Sequence, residues 1–213
     1  MNNTKPATLH TARKGEQRLR RLVHMKKTAD VLLNPIVIYT AVTAMIAPTF
    51  LDLQVILLGL VFPAVTGMIM QRTKKIQTYW DATTARDRSI IIFINLVFYI
   101  TLMTIFIATR VAGVIRVLVL VANIIMFLSL VLVYIPRWSI SGHFASLAAV
   151  ITYICILGNA LNLDLTSVAI IFILLFGIKS YLWLETKQSS GREIASSALL
   201  GHVVSMLCFY LTV

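Results

Sequence analysis

The sequence is poor in charged side chains, and this shortage excludes an ordinary soluble domain. Charged residues make up 13% of the 213 residues, against about 25% in soluble proteins. Hydrophobic residues make up 59%, and the mean hydropathy is +0.88. Apolar runs of roughly 20 residues recur, which is the length that crosses a hydrocarbon core about 30 Å thick. The composition therefore predicts a protein that uses lipid as its solvent.

Several patterns typical of other protein classes are also missing. The two cysteines, Cys155 and Cys208, lie in apolar runs and are interpreted as small core side chains rather than a disulfide or a metal pair. No Cys/His metal spacing and no glycine-rich phosphate loop occur. The alternation expected of a membrane β-barrel is absent, so the spans should be helices. The basic stretch at the N-terminus is too long for a cleavable signal peptide.

Seven apolar runs predict an all-α, polytopic membrane bundle with about seven transmembrane helices. They cover 31–48, 51–70, 90–109, 113–135, 143–160, 165–184 and 194–213. Residues 1–30 precede them as a basic segment, in which 13–28 predict a short helix lying on the membrane surface. A solvated basic tail is the alternative for this segment. Residues 31–213 are expected to form one transmembrane domain, without internal repeats.

The net charge of +11 is concentrated on one predicted side of the membrane. With seven spans, that side holds 16 of the 19 Lys and Arg, in the N-terminal segment and in loops 71–89, 136–142 and 185–193. The other side holds only Arg110 and Arg116. The positive-inside rule therefore predicts that the N-terminus and these loops are cytoplasmic and that the C-terminus lies opposite. The basic N-terminus is expected to contact anionic lipid headgroups rather than nucleic acid.

A short polar stretch, Pro136 to His143, separates two long apolar runs and holds the most suggestive residues. Ser141 and Gly142 precede His143, which opens the fifth run. A serine hydroxyl and backbone N–H groups at a helix N-terminus form a natural anion site, and a histidine there can protonate a leaving alkoxide. A helix cap formed by Ser139 or Ser141 is the alternative interpretation.

The other two loops on this side carry further candidate ligands. Arg86 and Arg88 precede the third run, and guanidinium groups suit phosphate oxygens. Asp81 and Asp87 are candidates to hold these arginines in position. Arg192 is a third candidate ligand in the last loop. Basic residues that merely anchor the flanks of a span are the alternative explanation for all three arginines.

In this order the loops resemble the type 2 phosphatidic acid phosphatase superfamily, whose signatures are Lys-x6-Arg-Pro, Pro-Ser-Gly-His and Ser-Arg-x5-His-x3-Asp. The second is matched by Ile140-Ser141-Gly142-His143, with Ile in place of Pro, and Trp138 stands where a prokaryotic branch has a tryptophan. Arg86-Asp87-Arg88 lies where that branch has an Asp- and Arg-rich loop, although Lys-x6-Arg-Pro is absent. The resemblance covers roughly 71–205 and implies a six-helix phosphatase-like core with an extra N-terminal span.

The third signature admits two alignments, and neither supplies its nucleophilic histidine. Anchoring on Ala198-Leu199-Leu200-Gly201 places Glu193 at the acidic position and Ser189 at the nucleophile. A gapped alignment places Glu185-Thr186 at the usual His-Thr pair, with Lys179 near the family's arginine. His202 stands one residue beyond the Leu-Leu-Gly, outside the motif position. Lys179 is otherwise interpreted as a snorkelling lysine or as a partner of Glu185.

The resemblance assigns roles to individual residues. Phosphate would be bound by Arg86, Arg88, Ser141, Gly142 and Arg192, with Asp81 and Asp87 supporting the arginines. His143 would be the general acid, Glu193 the residue that orients the nucleophile, and Ser189 the occupant of the nucleophile position. The family works through histidine, so neither a metal nor another cofactor is implied.

These observations predict an integral membrane phosphatase-like protein that hydrolyses an isoprenoid or glycerolipid phosphate or diphosphate at the cytoplasmic leaflet. Because the nucleophilic histidine is missing, the alternative is a catalytically inactive relative that binds an anionic lipid headgroup. A membrane prenyltransferase that holds magnesium pyrophosphate through Asp81 and Asp87 is a third interpretation, although no second acidic cluster follows in the later loops. No pattern in the sequence fixes an oligomeric state.

Overall fold

The computed structural model describes residues 21–46, 54–76, 85–111, 113–132, 140–187 and 189–212. All regular structure in these residues is helical, as the sequence predicts. The helices are α1 (21–32), α2 (Pro35–Ile46), α3 (Gln54–Arg72), α4 (Ala85–Ala108), α5 (Gly113–Leu132), α6 (Gly142–Leu161), α7 (Thr166–Glu185) and α8 (Gly191–Thr212).

Six of these helices, α3 to α8, are long and apolar enough to cross a membrane, so the protein is a multi-pass membrane protein. They correspond to the last six predicted runs. The first predicted run, 31–48, contains α2, which has 12 residues. A helix of that length spans about 18 Å, which is less than the roughly 30 Å of a hydrocarbon core. The count of seven spans therefore stays a prediction.

Pro35 separates α1 from α2. Proline has no N–H, and its ring disfavours helical backbone in the preceding residue, here Asn34. The chain leaves the helix at Leu33 and Asn34 and resumes it at Pro35, a favoured first helical residue. The predicted surface helix over 13–28 overlaps α1 in its last part, and residues 13–20 lie outside the described residues.

A short π-helical segment, Leu57–Val61, widens one turn of α3. It lies just before Pro63, whose missing N–H would interrupt a regular ladder of hydrogen bonds. Gly59 in this segment packs against α2, because a Cβ there would lie 2.6 Å from the hydroxyl oxygen of Thr40. Thr40 is in turn 3.2 Å from the Tyr99 hydroxyl on α4. The wide turn thus joins α2, α3 and α4 in the core.

The closest helix pair is α6 and α8, which run in the same direction. The Ser141 N–H donates to Ser197 Oγ, and Gly201 lies against Ala145. In both contacts the two residues are 56 positions apart in the sequence, as expected for helices that run in parallel. A Cβ at Gly201 would overlap the Ala145 carbonyl group and lie 3.0 Å from the Ala149 nitrogen. Small residues allow membrane helices to approach to backbone contact. This contact holds the first turn of α6 against α8.

The turn between α6 and α7 is tight and self-contained. Asn162 ends α6 in a left-handed conformation (φ 52°), and the Leu163 N–H donates to the Gly158 carbonyl at 2.9 Å. At the start of α7 the Asp164 carboxylate accepts a hydrogen bond from the Thr166 N–H at 3.1 Å. Hydrogen bonds from Thr166 lower the pKa of the Asp164 carboxyl group. The opposite end of the bundle, where α4, α6 and α8 begin, is termed the loop end.

Candidate functional site

Lys179 is a fully buried cation in the membrane-spanning helix α7. Its side chain is 0% exposed, and its Nζ donates to the carbonyl oxygen of Leu33 at 2.8 Å. The same Nζ lies 3.1 Å from Nδ1 of His143, the second residue of α6. An ammonium group only donates hydrogen bonds, so a protonated Lys179 makes Nδ1 the acceptor and puts the ring hydrogen on Nε2. In that state His143 has an N–H donor on the other side of its ring.

The acceptor at Leu33 is available because α1 ends there. Carbonyl groups in the last turn of a helix lack donors from their own helix and carry the negative end of the helix dipole. Pro35 enforces this end point, since it cannot continue the helix through Asn34. The buried Lys179 ammonium supplies a donor to this carbonyl, and the carbonyl supplies an acceptor to Lys179.

α1 brings a second lysine and a carboxylate to the same place. Lys26 and Asp30 are four residues apart and so share one helix face; each is only 3% exposed. Lys26 Nζ lies 2.8 Å from Asp30 Oδ2 and 4.8 Å from the centre of the Trp183 ring, while Lys179 Nζ lies 4.9 Å from that ring. Ammonium groups at such distances are attracted to an indole ring. Lys26, Asp30, His143, Lys179 and Trp183 are termed the lysine cluster.

The first turn of α6 adds backbone donors beside His143. Ser141 is its N-cap by position, with extended backbone (φ −92°, ψ 115°), but its hydroxyl makes no capping bond. Its N–H donates to Ser197 Oγ at 2.8 Å, and the Ser197 hydroxyl donates to the Glu193 carbonyl at 2.6 Å. The next N–H groups have no acceptor within the helix and lie at the positive end of its dipole. They suit an anion.

Gly142 allows α5 to come close to this turn. A Cβ at Gly142 would lie 2.9 Å from Ser129 Oγ. The Ser129 side chain is buried, and its hydroxyl has no hydrogen-bond partner in the described part of the chain. The structure thus gives the glycine a packing role, while its predicted role in cradling phosphate stays a prediction.

Replacing Ser197 with Ala tests the bond between α8 and the N-cap of α6. The change removes the acceptor of the Ser141 N–H and should lower the free energy of unfolding by about 1–3 kcal/mol, the cost of a buried unpaired donor. Thermal unfolding in detergent measures this. Ser196→Ala is the control, because the Ser196 hydroxyl bonds only to the Glu193 carbonyl of its own helix. Equal melting temperatures for the two variants would contradict a supporting role for Ser197.

The three predicted arginines are exposed at the loop end. Arg86 and Arg88 lie in the first turn of α4, and Arg192 lies in the first turn of α8. Their convergence with His143 stays a prediction.

The acidic and serine candidates are dispersed around the loop end. Asp87 is buried in the first turn of α4, whereas Asp81 lies outside the described residues. Glu193 is partly buried in the first turn of α8, where its N–H donates to Ser190 Oγ at 3.2 Å. Ser189 is partly buried at the bend before α8. The roles predicted for these residues stay predictions.

No second imidazole faces His143 among the described residues. His24 is exposed on α1. His202 Nδ1 lies 2.9 Å from the Thr152 hydroxyl, and Thr152 is nine residues beyond His143 on α6, which is about 13 Å along the helix. The residue that contacts the His143 ring is Lys179.

Sequence reasoning did not connect Lys26, Asp30 and Trp183 with the site. Lys26 was one of eight N-terminal basic residues that the positive-inside rule already explains. The available signal was the spacing of Lys26 and Asp30, which puts opposite charges on one face of α1. For Lys179 the signal was its place inside the predicted span 165–184, since charged residues within membrane spans face the bundle interior and mark sites.

Comparison of the chain with protein-family models, with curated proteins and with solved structures gave no match. The described residues contain no group of three or more His, Cys, Asp or Glu side chains that could hold a metal ion. Cys155 and Cys208 are both free thiols. The chemistry of the site must therefore be argued from the lysine cluster and the helix ends around it.

Proposed function

We propose that the protein binds the phosphate headgroup of a membrane lipid at the loop end of its helical bundle. The observation that carries this proposal is the contact of the buried Lys179 ammonium with His143 at the first turn of α6. It puts a cation, a ring N–H and backbone N–H groups at one place. Each of these groups stabilises negative charge.

The burial of Lys179 favours a ligand site over simple packing. Placing a charge among membrane helices is costly, and such residues usually line a site or a pathway. A lysine that only anchored the end of α7 would extend its ammonium group to the membrane surface. Lys179 instead points to His143 and Leu33, and exposed Lys187 stands at the end of α7.

A lipid is the favoured source of the phosphate because the site lies at the end of membrane-spanning helices. Headgroup phosphates occupy the same level of a bilayer, just outside the hydrocarbon core. Isoprenoid and glycerolipid phosphates are the substrate classes that the resemblance to phosphatidic acid phosphatases favours. The charge bias of the sequence supports a cytoplasmic position for this end.

Hydrolysis of the bound phosphate is the second candidate function. It is favoured by the gapped alignment, in which Lys179 takes the place of the family's third-signature arginine. In the family that arginine and the second-signature histidine act on one phosphate, and here Lys179 contacts His143. His143 would then protonate the leaving group. The described residues offer no imidazole as nucleophile, so binding without turnover remains our first proposal.

Binding and turnover are separated by one pair of assays. The purified protein in phosphatidylcholine nanodiscs is titrated with phosphatidic acid or an isoprenyl phosphate, and release of inorganic phosphate is followed in the same samples. Binding without release supports the first proposal, and release supports the second. Absence of both for every phosphorylated lipid would reject a phosphate site.

Replacing His143 with Leu should weaken binding of phosphatidic acid by about 10-fold to 100-fold. The reason is that leucine offers no N–H, and hydrogen bonds to charged groups contribute about 1.5–3 kcal/mol. Any phosphate release should stop, because no general acid remains at this position. His24→Leu is the matched control, since His24 is exposed on α1. Unchanged affinity in the His143 variant would show that the ring does not contact the ligand.

A further inference from the structure

Ser129 is a buried serine of α5 whose hydroxyl group has no hydrogen-bond partner among the described residues. The residue is 4% exposed and lies three residues before the end of α5, close to the loop end. A buried polar group without a partner costs free energy of folding, and in native proteins such a group usually meets a water, an ion or a ligand. The neighbours of Ser129 indicate which of these it is.

The Ser129 hydroxyl does not make the bond that hydroxyl groups inside a helix commonly make. A helical serine or threonine often donates to the carbonyl group four residues earlier. In this protein Thr104, Thr152 and Ser197 each do so, at 2.6–2.9 Å. Ser129 makes no such bond, so its hydroxyl is available to a group outside α5.

The hydroxyl of Ser129 points instead at Gly142, the first residue of α6. A Cβ at Gly142 would lie 2.9 Å from Ser129 Oγ, which is too close, but 3.4 Å from Ser129 Cβ, which is ordinary contact. Two alanines would therefore pack here without a clash, because only the serine oxygen requires the glycine. The pair of Gly142 and Ser129 thus keeps a hydroxyl group at a place where packing alone does not need one.

The first turn of α6 presents unpaired backbone donors beside this hydroxyl. The first N–H with an acceptor near the start of the helix is that of Ala145, which donates to the Ser141 carbonyl at 3.1 Å. The N–H groups of the three residues before Ala145 have no acceptor within the helix and lie at the positive end of its dipole. His143, the second residue of this turn, contacts Lys179 of α7. An anion bound to these N–H groups therefore has Ser129 on one flank and His143 with Lys179 on the other.

We propose that the Ser129 hydroxyl is a further ligand of the phosphate group and donates a hydrogen bond to it at the first turn of α6. This proposal rests on the phosphate-binding function proposed above, and it adds α5 to the helices that form the site. A hydroxyl supplies a donor without burying another charge. The phosphate in turn supplies the acceptor that Ser129 lacks in the ligand-free protein. Removal of the hydroxyl should therefore act in opposite directions on stability and on affinity.

Replacing Ser129 with Ala tests this pair of effects. In the ligand-free protein the change removes an unpaired buried hydroxyl, so the melting temperature in detergent should stay level or rise. In phosphatidylcholine nanodiscs the affinity for phosphatidic acid should fall by about 10-fold, because a hydrogen bond to a charged group is lost. Inorganic phosphate is titrated in a second arm. A serine that only packed against α6 would not lower the affinity without lowering the stability.

Ser205→Ala is the matched control. Ser205 is fully buried on α8, and its hydroxyl also lacks a partner in the part of the chain that the structure describes. It lies about 21 Å along α8 from the loop end, so its replacement should leave the affinity unchanged. Gly142→Ala gives an independent variant, because its Cβ would displace the Ser129 hydroxyl. It should weaken binding by itself but add no further loss to Ser129→Ala, since both changes remove the same hydrogen bond.

The outcomes separate this proposal from the one on which it rests. Wild-type affinity in Ser129→Ala would overturn the role of Ser129 and leave phosphate binding intact. A fall of the melting temperature together with the affinity, or an equal loss of affinity in Ser205→Ala, would assign the serine to packing and overturn it as well. Binding of neither phosphatidic acid nor inorganic phosphate by the wild-type protein would reject both proposals. A response to phosphatidic acid alone supports the lipid as the source of the phosphate.

Discussion

Replacing Lys179 with Met should reduce the affinity for phosphatidic acid by about 100-fold. Removal of one partner from a buried, hydrogen-bonded charge pair typically costs 2–5 kcal/mol of binding free energy, and 1.4 kcal/mol corresponds to tenfold. Methionine keeps the length and the apolar stem of the side chain. The free energy of unfolding should fall by about 1–3 kcal/mol, because the buried Leu33 carbonyl and His143 Nδ1 lose the Lys179 ammonium as a partner. Titration in nanodiscs and thermal unfolding measure the two quantities.

Lys187→Met is the control for this experiment. Lys187 is exposed just beyond the end of α7, in a left-handed backbone conformation (φ 54°). Its replacement removes the same charge from the same end of the bundle and should leave affinity within about twofold, since exposed charges at a rim contribute little. A loss shared equally by both variants would assign binding to the overall positive field rather than to the lysine cluster.

Replacing Gly201 with Leu should destabilise the protein by about 3 kcal/mol or more, or prevent folding. Even the first carbon of a side chain would overlap the Ala145 carbonyl and crowd the Ala149 nitrogen. Both are backbone atoms, so α6 and α8 must separate, and overpacking a tight core costs about 1–3 kcal/mol without such separation. Unfolding of the purified protein in detergent or bicelles measures this difference. Phosphate binding should fall with it, since α8 also holds Ser141.

Gly177→Leu provides the matched comparison on a neighbouring helix. No atom lies within 4 Å of a Cβ at Gly177, which is exposed on α7 two residues before Lys179. This variant should be unchanged or more stable by about 0.5–1 kcal/mol, because glycine is a poor helix former. Similar destabilisation of both variants would show that helix propensity or lipid contact, and not the α6–α8 contact, governs the effect.

The helical spans were predictable because hydropathy reports directly on the solvent that a segment meets. The six long helices agree with the last six apolar runs to within a few residues. The α1–α2 break at Asn34 and Pro35 lies inside the first apolar run, 31–48, which hydropathy alone shows as continuous. A proline indicates that a helix bends or ends at that position. Which of the two occurs depends on how the residues after the proline, here α2, pack against the other helices.

The position of the site was predictable in part. The stretch before α6 was recognised from residue types, and His143 does lie among charged groups. The missing part comes from helices that are distant in sequence: Leu33 and Lys179 are 146 residues apart. No local pattern reveals which residue faces such a carbonyl, so the sequence indicates for Lys179 only a snorkelling lysine or a partner of Glu185.

The choice between the two third-signature alignments illustrates the same limit. The alignment through Leu199-Leu200-Gly201 gives Lys179 no role, whereas the gapped alignment puts it near the family's arginine. Lys179 contacts His143 in the structure, and the choice between the two alignments stays a prediction. Spatial neighbours carry information here that residue identities alone do not.

The widened turn in α3, Leu57–Val61, helps to keep the buried residues of this helix on one side of it. The buried positions Val55, Gly59, Pro63 and Gly67 recur every fourth residue. In a regular helix, at about 100° per residue, three such steps would rotate the stripe by roughly 120° around the axis. A turn containing more residues rotates it back. α3 can therefore keep this stripe facing the bundle, with the widened turn on α2 and α4 and the following residues on α4. Through Gly59 and Thr40 it braces α2, the segment that begins just after the Leu33 carbonyl.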